Sequence, residues 1–290
     1  MLLGAQHSLT NEAHHADEAI GSSGLKLIGQ SPLHYWQAYI NPKRERKEPT
    51  AAMKIGTAWH CAFFEPEEFA RNYLAIPEGL DRRTKEGKQL FSDLEATGKI
   101  PLAHDEYQRI VEMAKTANSH PESKRIFGIK GGMAEVSMFA LDDTGVRCKI
   151  RPDYCIPPCD EFPNGLVIDG KTGEDMSPDG FSKYAMKWNL ALQAAFYADV
   201  FQQIYETPEP PVFMWCGQEK EAPYATAYYK ASSDVLDYGR MQYRPLLEIY
   251  AKCVKAGEWP GYDQSVKEFE LPTWALKQME SGETMEIEYA

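Results

Sequence analysis

Residues 166–171, with the sequence LVIDGK, place an acid and a base at the end of an apolar run. Consecutive apolar residues predict a buried strand, and residues two positions apart on a strand point to the same face. The carboxylate of Asp169 and the ammonium of Lys171 are therefore expected side by side, with the backbone of Gly170 left accessible. A carboxylate beside an ammonium at a strand end can hold Mg²⁺ and position a water for attack on a phosphate.

A second acid, Asp153, lies upstream at the predicted end of the preceding strand, within the sequence Arg-Pro-Asp-Tyr. If these two strands pair as a hairpin, their ends bring the carboxylates of Asp153 and Asp169 together. Two aspartates and the carbonyl of Gly170 would suit Mg²⁺, which prefers oxygen ligands. Lys171 could then orient or deprotonate the attacking water and balance developing charge. A D-x-K triplet alone also fits an ordinary surface strand, so the upstream aspartate makes the pattern informative.

The predicted elements follow the order helices, three strands, a helix, two strands and a helix. This order implies one mixed-sheet α/β domain with a helical N-terminal layer. The predicted strands are residues 134–141, 146–154, 166–171, 212–216 and 224–230. The predicted helices are residues 24–40, 51–65, 84–97, 104–120, 186–206 and 233–257.

The composition is that of a globular protein, since 43% of the 290 residues are hydrophobic and 26% are charged. We expect a loose arm at residues 1–21, a single domain at 22–270 and a C-terminal tail at 271–290, which should be mobile after residue 281. No run approaches the roughly 18 to 20 apolar residues of a membrane span. The first residues do not resemble a signal peptide, so a cytoplasmic protein is expected. The six cysteines form no CxxC pair, which favours reduced structural thiols.

The net charge of -12 has the wrong sign for a protein that coats nucleic acid. Local fields nevertheless decide binding, and a bound cation changes the charge of an acidic site. If DNA is the partner, the acidic excess favours a confined basic channel.

The acid and lysine positions resemble the PD-(D/E)xK nuclease superfamily, with Asp153 as the first acid and Asp169 and Lys171 as the D-x-K. Further motifs are similar to the RecE-type branch, the phage and prophage exonuclease VIII nucleases, and more distantly to the RecB nuclease domain. The resemblance runs from about residue 22 to about residue 257 and implies a restriction-endonuclease-like core. Relatives often place a small residue before the first acid, where this chain has Arg-Pro. The motifs are SPLHYW at 31–36, GTAWH at 56–60, Glu135 in AEVS, and Gln193-x-x-x-Tyr197.

The resemblance also implies roles for individual side chains. His60 would be a further metal ligand, although a helix histidine can simply pack under the sheet. Glu135 would lie near the metals, although it could be a surface glutamate. Gln193 and Tyr197 share one helix face beside the site, although Tyr197 also fits the core stripe. The candidate catalytic residues are Lys171, Asp169, Asp153, Glu135, Gln193 and Tyr197, and the candidate metal ligands are His60, Asp153, Asp169 and Gly170.

Several other polar and aromatic residues have two interpretations. The basic loop at residues 43–47 could contact phosphates, but a solvated loop is the simpler expectation. Three serines are expected to cap helices, although one could help to bind a terminal 5′-phosphate. Three tryptophans are expected in the core, although each could stack on a splayed base. The serines are Ser22, Ser23 and Ser31, and the tryptophans are Trp36, Trp59 and Trp188.

The function that the resemblance implies is a Mg²⁺-dependent exodeoxyribonuclease, with Mn²⁺ as an alternative and two ions per site. It would degrade linear double-stranded DNA 5′ to 3′ in a bacterial host cell and leave 3′ single-stranded tails. The implied partners are a single-strand annealing recombination protein and further copies of the chain in a ring with a basic lumen.

Three alternatives stay open. A Cas4-like or RecB-like nuclease would have another polarity or endonuclease activity, but Cas4-like proteins usually add a cysteine cluster whose spacing is lacking here. A catalytically silent DNA-end-binding module is disfavoured by the intact acids and lysine. An accidental D-x-K in an unrelated α/β protein is disfavoured by the agreement of separate motifs. The chain also has no GxxxxGK[ST] motif, so no built-in motor is expected.

Overall fold

The strand that carries the D-x-K motif lies in the middle of a five-stranded mixed sheet in the computed structural model, which describes residues 2–44, 50–80 and 83–281. This strand is β8; it runs parallel to one neighbour and antiparallel to the other. In spatial order the strands are β10 (Thr226–Lys230), β9 (Val212–Glu219), β8 (Leu166–Gly173), β7 (Tyr154–Ile156) and β4 (Met133–Ala134).

Helices cover both faces of this sheet. A short π-helix, Trp36–Ile40, follows the third of them. Within the described residues the helices are α1 (Asn11–Ala16), α2 (Ser22–Gln30), α3 (Pro32–Tyr35), α4 (Ala51–Phe64), α5 (Pro66–Asn72), α6 (Lys85–Ala96), α7 (His104–Ser119), α8 (Pro121–Phe127), α9 (Pro178–Lys187), α10 (Leu190–Tyr205), α11 (Ser233–Ala256) and α12 (Thr273–Ser281).

The two faces of β8 pack into different parts of the core, as the alternation of side chains along a strand requires. Leu166 and Ile168 are fully buried in a cluster with residues of α4 and α7. Val167 belongs to the opposite cluster, with residues of α10 and α11. Asp169 shares the face of Val167, so its carboxylate points towards α10 rather than into the α4 side.

A smaller sheet stands beside the first and includes the N-terminal segment. Its three strands pair antiparallel in the order β1, β5, β6. The segment predicted as a loose arm is therefore structured, because it contributes both a strand and α1. The strands are β1 (Gly4–Gln6), β5 (Ser137–Leu141) and β6 (Arg147–Ile150), and a separate parallel pair consists of β2 (Tyr73–Ala75) and β3 (Ile100–Leu102).

Two segments that were predicted as single strands are each interrupted, and the two parts of each segment belong to different sheets. The first breaks at Glu135, whose φ of 52° is left-handed, between β4 and β5. The second breaks at Pro152 and Asp153, between β6 and β7, where proline has no N–H to donate to a ladder. Both breaks fall beside the D-x-K strand. Asp153 therefore lies in an irregular segment instead of closing a strand.

Two predicted helices also divide. The expected helix over residues 24–40 stops before Pro32, and the extended Ser31 begins a new helix with its hydroxyl accepting the N–H of His34 at 3.4 Å. The helix predicted over residues 186–206 separates into α9 and α10 at Asn189, whose φ is 49°. The expected helices at 51–65, 84–97, 104–120 and 233–257 are confirmed as α4, α6, α7 and α11.

The serine caps are confirmed only in part. Ser31 is the N-cap of α3, but Ser22 and Ser23 lie inside the first turn of α2, and its N-cap is Gly21. Of the basic loop, Lys43 and Arg44 are described, whereas residues 45–47 and the tail after residue 281 lie outside the described residues.

The architecture is the predicted mixed α/β fold with a central mixed sheet flanked by helices. All six cysteines are free. None of the helices formed by the described residues is long and apolar enough to cross a membrane.

Candidate active site

Asp153 and Asp169 meet because β7 and β8 are antiparallel neighbours. Tyr154 pairs with Ile168, which places the residues just outside that pair next to each other. The N–H of Gly170 donates to Asp153 Oδ2 at 2.5 Å, and His60 Nδ1 on α4 lies 3.4 Å from the same oxygen. The hairpin expected from the sequence is therefore present, and it holds Asp153 between a strand and a helix.

Asp169 is buried, with 3% of its surface exposed, and has few partners. Gln193 Nε2 on α10 donates to Asp169 Oδ1 at 2.7 Å. Asp169 Oδ2 forms an ion pair with Lys171 Nζ but accepts no hydrogen bond of ordinary geometry. The contact between Asp169 and Lys171 is an ion pair without the geometry of a hydrogen bond. Asp169 Oδ2 can therefore still bind a cation.

Glu135 approaches the two aspartates from the break between β4 and β5. Its N–H donates to the carbonyl of Asp153 at 3.2 Å, and its Oε2 accepts from Arg151 Nε at 2.7 Å. His60, Glu135 and Asp153 each offer one ligand atom, and these atoms lie within 4.8 Å of one another. An imidazole and carboxylate oxygens at that spacing suit a divalent cation.

The expected exposure of the Gly170 backbone was wrong. Gly170 is buried, and a Cβ built on it would lie 2.9 Å from Trp59 and 3.0 Å from Phe64. Its N–H is committed to Asp153. The glycine is thus required where an aromatic layer of α4 closes against β8, because any larger side chain would push that layer away.

The crowding of carboxylates shifts their pKa values. Burial and the neighbouring Asp153 raise the pKa of Glu135 to about 7, although Arg151 opposes the shift. Burial raises the pKa of Asp169, with Lys171 opposing and Asp153 adding to the shift. Burial opposes ionisation of Asp153, but His60 and Lys171 outweigh it and lower its pKa. The ionised Asp153 thus opposes ionisation of both Glu135 and Asp169, which fits a cation site, since a cation would relieve the repulsion.

Lys171 is enclosed, with 16% of its side chain exposed. Burial alone would lower its pKa, but Asp169 and Asp153 outweigh burial and raise it. The ammonium form is therefore favoured. A positive lysine is better suited to orienting a water and balancing developing charge than to removing a proton.

Gln193 and Tyr197 lie on the face of α10 that meets β8. Tyr197 is partly buried, and its pKa is raised by burial and by Asp169 and Asp153. Its ring also packs near Phe196 and Phe213 in the core. Tyr197 therefore packs in the core stripe and also lies near the acids, and its role at the site stays a prediction.

Two residues near the acids have no distinguishing signal in the sequence. Lys26 on α2 donates from Nζ to the carbonyl of Trp188 at 2.7 Å, and burial and Lys171 lower its pKa to about 8. Tyr184 on α9 is close enough to Lys171 and Asp169 for both to influence its pKa, which burial raises. Each is an ordinary helix residue in sequence, and only the docking of α2 and α9 brings it here.

The sequence of residues 21–269 matches a family described as a PDDEXK-like domain of unknown function (DUF3799). The chain belongs to this family. Membership agrees with the restriction-endonuclease-like mixed sheet and with an acid, acid, lysine arrangement at its centre, and it supports a nuclease. No curated protein matches the chain.

Two solved structures match the chain, and the first of them is similar to it in fold. A "putative exonuclease" from Eubacterium rectale is 18% identical, with a TM-score of 0.58, and the match covers 93% of this chain and 98% of that one. At this identity the likeness concerns the fold alone. A second structure, SSO0001, is 13% identical over 65% of this chain and 85% of that one, and its TM-score of 0.28 is too low to support any comparison.

Proposed function

We propose that this protein is a Mg²⁺-dependent exodeoxyribonuclease of the RecE type that degrades linear double-stranded DNA. The observation that carries the proposal is the buried acid pair, Asp153 and Asp169, beside the ion-paired Lys171 at the centre of a PDDEXK-like sheet. Exonuclease rather than endonuclease activity is proposed because of the RecE-type motifs, and the similar Eubacterium rectale protein is itself named a "putative exonuclease".

In this proposal His60, Glu135 and Asp153 hold one divalent cation, and Asp169 contributes to it or to a second one. The Gly170 carbonyl is a further candidate ligand. Mn²⁺ is a possible substitute for Mg²⁺ because both take oxygen ligands. When bound, the metal supplies Lewis acidity that activates water and neutralises phosphate charge.

The remaining roles belong to protein side chains. Lys171 orients the attacking water and balances the charge that develops on the phosphate. Gln193 holds the Asp169 carboxylate in place through its hydrogen bond. Tyr197 and Glu135 position their neighbours, Tyr197 beside Gln193 and Glu135 beside Asp153. Excluding bulk water from this enclosed site strengthens each of these interactions.

The finer features of the proposal are those of the RecE-type enzymes that the chain resembles. The protein would degrade one strand 5′ to 3′ and leave a 3′ tail for a single-strand annealing protein. It would act in the cytoplasm of a bacterial host cell as a ring, with residues 22–270 as its nuclease domain. A basic lumen and an acidic exterior would reconcile DNA binding with the net charge of -12; an acidic inner surface would contradict the ring.

The test compares linear duplex DNA labelled at the 5′ or 3′ end with a closed circle, in Mg²⁺ or EDTA. Early Mg²⁺-dependent release of the 5′ label, an intact circle and an inactive Lys171→Ala variant are expected. Lys252→Ala, which alters an exposed lysine of α11, is the matched control and should retain activity. Cutting of the circle would indicate an endonuclease, and binding without cleavage would indicate a silent end-binding module.

A further inference from the structure

Trp188 lies at the surface beside the candidate active site. This differs from the sequence analysis, which predicts that Trp188 packs in the core. It is 52% exposed, whereas Trp59 is fully buried and Trp36 is half-buried. Trp188 ends α9, and the left-handed Asn189 turns the chain from there into α10. This turn leaves the indole of Trp188 at the surface. The backbone carbonyl of Trp188 accepts a hydrogen bond from Lys26 Nζ.

Two cavities meet at Trp188. A cavity of 790 Å³ runs between α4 and α9 and includes Thr172, the residue after Lys171. A cavity of 420 Å³ lies on the α2 side and includes Lys26. Trp188 and Lys187 line both. Trp188 therefore lies between two open spaces, and the larger one includes the residue that follows the candidate catalytic lysine.

The lining of these cavities is basic in a protein whose net charge is negative. Lys183, Lys187 and Lys220 line the larger one, and Lys26 lines the smaller one. Two acids, Glu174 and Asp175, also line the larger cavity, and Asp175 accepts the N–H of Ser177 at 2.9 Å. The lysines outnumber the acids, so the surface attracts an anion.

The surroundings of the indole suit a flat aromatic ligand carrying negative charge. Lys187 Nζ lies 5.4 Å from the Trp188 ring centroid, and the Tyr184 ring lies 6.2 Å away. Nucleobases stack on tryptophan faces, and lysines follow the phosphates on either side of a stacked base. One lysine beside the ring and three more along the two cavities, next to a proposed phosphate-cleaving site, favour a nucleic acid strand as the ligand.

We propose that Trp188 is a stacking platform for an unpaired base of the DNA strand that passes through the active site. The DNA is single-stranded at this point, because a base that stacks on the indole is not paired. The lysines on the two sides of Trp188 hold the neighbouring phosphates. The inference rests on the proposed nuclease function and adds a substrate form to it: DNA that is frayed or unpaired next to the cleaved bond.

The experiment measures binding of a short single-stranded oligothymidylate that carries one 2-aminopurine, with Ca²⁺ replacing Mg²⁺ to prevent cleavage. Stacking on Trp188 should quench the 2-aminopurine at one position of the strand. Trp188→Ala should abolish the quenching and weaken binding by about 5- to 100-fold, the range for loss of one stacked base. Trp188→Phe should restore most of the binding.

Met186→Ala is the matched control, because Met186 is a 68% exposed residue of α9 that lines neither cavity. It should bind and quench as the wild type does, and circular dichroism melting checks that every variant is folded. If Trp188→Ala binds and quenches like the wild type while linear duplex is still cleaved, the platform is wrong and the nuclease proposal stands. If the wild type neither binds the oligonucleotide nor cleaves any DNA, both proposals fail.

Discussion

Two carboxylates that contact the same helix, α10, have opposite surroundings: Asp199 belongs to the helix itself, and Asp169 belongs to β8, which packs beside it. Asp199 accepts hydrogen bonds from Arg240 through Nε and Nη2 and from the Tyr243 hydroxyl, and Arg244 adds an ion pair at 3.5 Å. Asp169, held by Gln193 of that helix, has one well-formed hydrogen bond and one ion pair.

The difference separates a structural acid from a functional one. Both oxygens of the Asp199 carboxylate are already bound by Arg240, Tyr243 or Arg244 of α11. Asp199 therefore joins α10 to α11, and its oxygens are not available to a further ligand. Asp169 has too few such partners, and burial and the neighbouring Asp153 oppose its ionisation. Buried polar groups are normally satisfied, so a crowded and undersatisfied carboxylate inside a central strand indicates a site that binds a cation.

The largest expected difference between these two acids is in catalysis. Asp169→Asn should lower the rate of DNA hydrolysis by about 100- to 1000-fold or more, because the amide removes charge that binds the metal. Single-turnover cleavage of linear duplex at saturating protein measures this rate. Asp199→Asn is the control and should keep the rate of the folded enzyme within a few-fold; equal losses in both variants would contradict the assignment.

Stability should show the reverse order. Asp199→Asn should reduce the free energy of unfolding by about 2 to 3 kcal/mol, because it removes the charge that pairs with Arg240 and leaves the guanidinium poorly matched. Urea unfolding followed by circular dichroism measures the change. Without divalent cations Asp169→Asn should be no less stable than the wild type, since it relieves repulsion from Asp153. A stability loss larger in Asp169→Asn would remove the distinction.

The contribution of Gln193 is expected to be smaller than that of Asp169 itself. Gln193→Ala should lower activity by about 10- to 100-fold, as loss of a partner that orients a metal ligand typically does. Gln203→Ala, on the same helix, loses only a bond to the carbonyl of Leu141 and should leave activity unchanged. An unaffected Gln193→Ala enzyme would show that Lys171 alone positions the carboxylate.

The smallest predicted effect is the stabilisation by metal. At a Mg²⁺ concentration ten times its Kd, the wild type should gain about 1.4 kcal/mol of stability, and EDTA should reverse the gain. Thermal unfolding with and without Mg²⁺ detects it. Asp153→Asn should lose the response and Asp199→Asn should keep it; a response that persists in Asp153→Asn would place the cation elsewhere.

The D-x-K strand and its neighbour Asp153 follow from local sequence, because strand alternation and hairpin pairing indicate which side chains meet. The approach of Gln193 was implied only by the family resemblance, since its spacing to Tyr197 gives a shared helix face and not what that face contacts. The break of the strand at Glu135 and the break of the helix at Asn189 could not be predicted from local sequence. Both are non-glycine residues in left-handed conformations that the surrounding structure imposes. Lys26 and Trp188 lie near the site only because of how α2 and α9 pack, and no local sequence pattern predicts that packing.

The central claim is that the undersatisfied Asp169 on β8 and the adjacent Asp153 bind the catalytic cation. Anomalous diffraction from crystals soaked in Mn²⁺ tests this claim most directly. The account predicts an anomalous peak within coordination distance of the Asp153 and Asp169 carboxylates, and its loss in Asp153→Asn crystals. A soaked crystal with no peak there, or with its strongest peak beside Asp199, would contradict it.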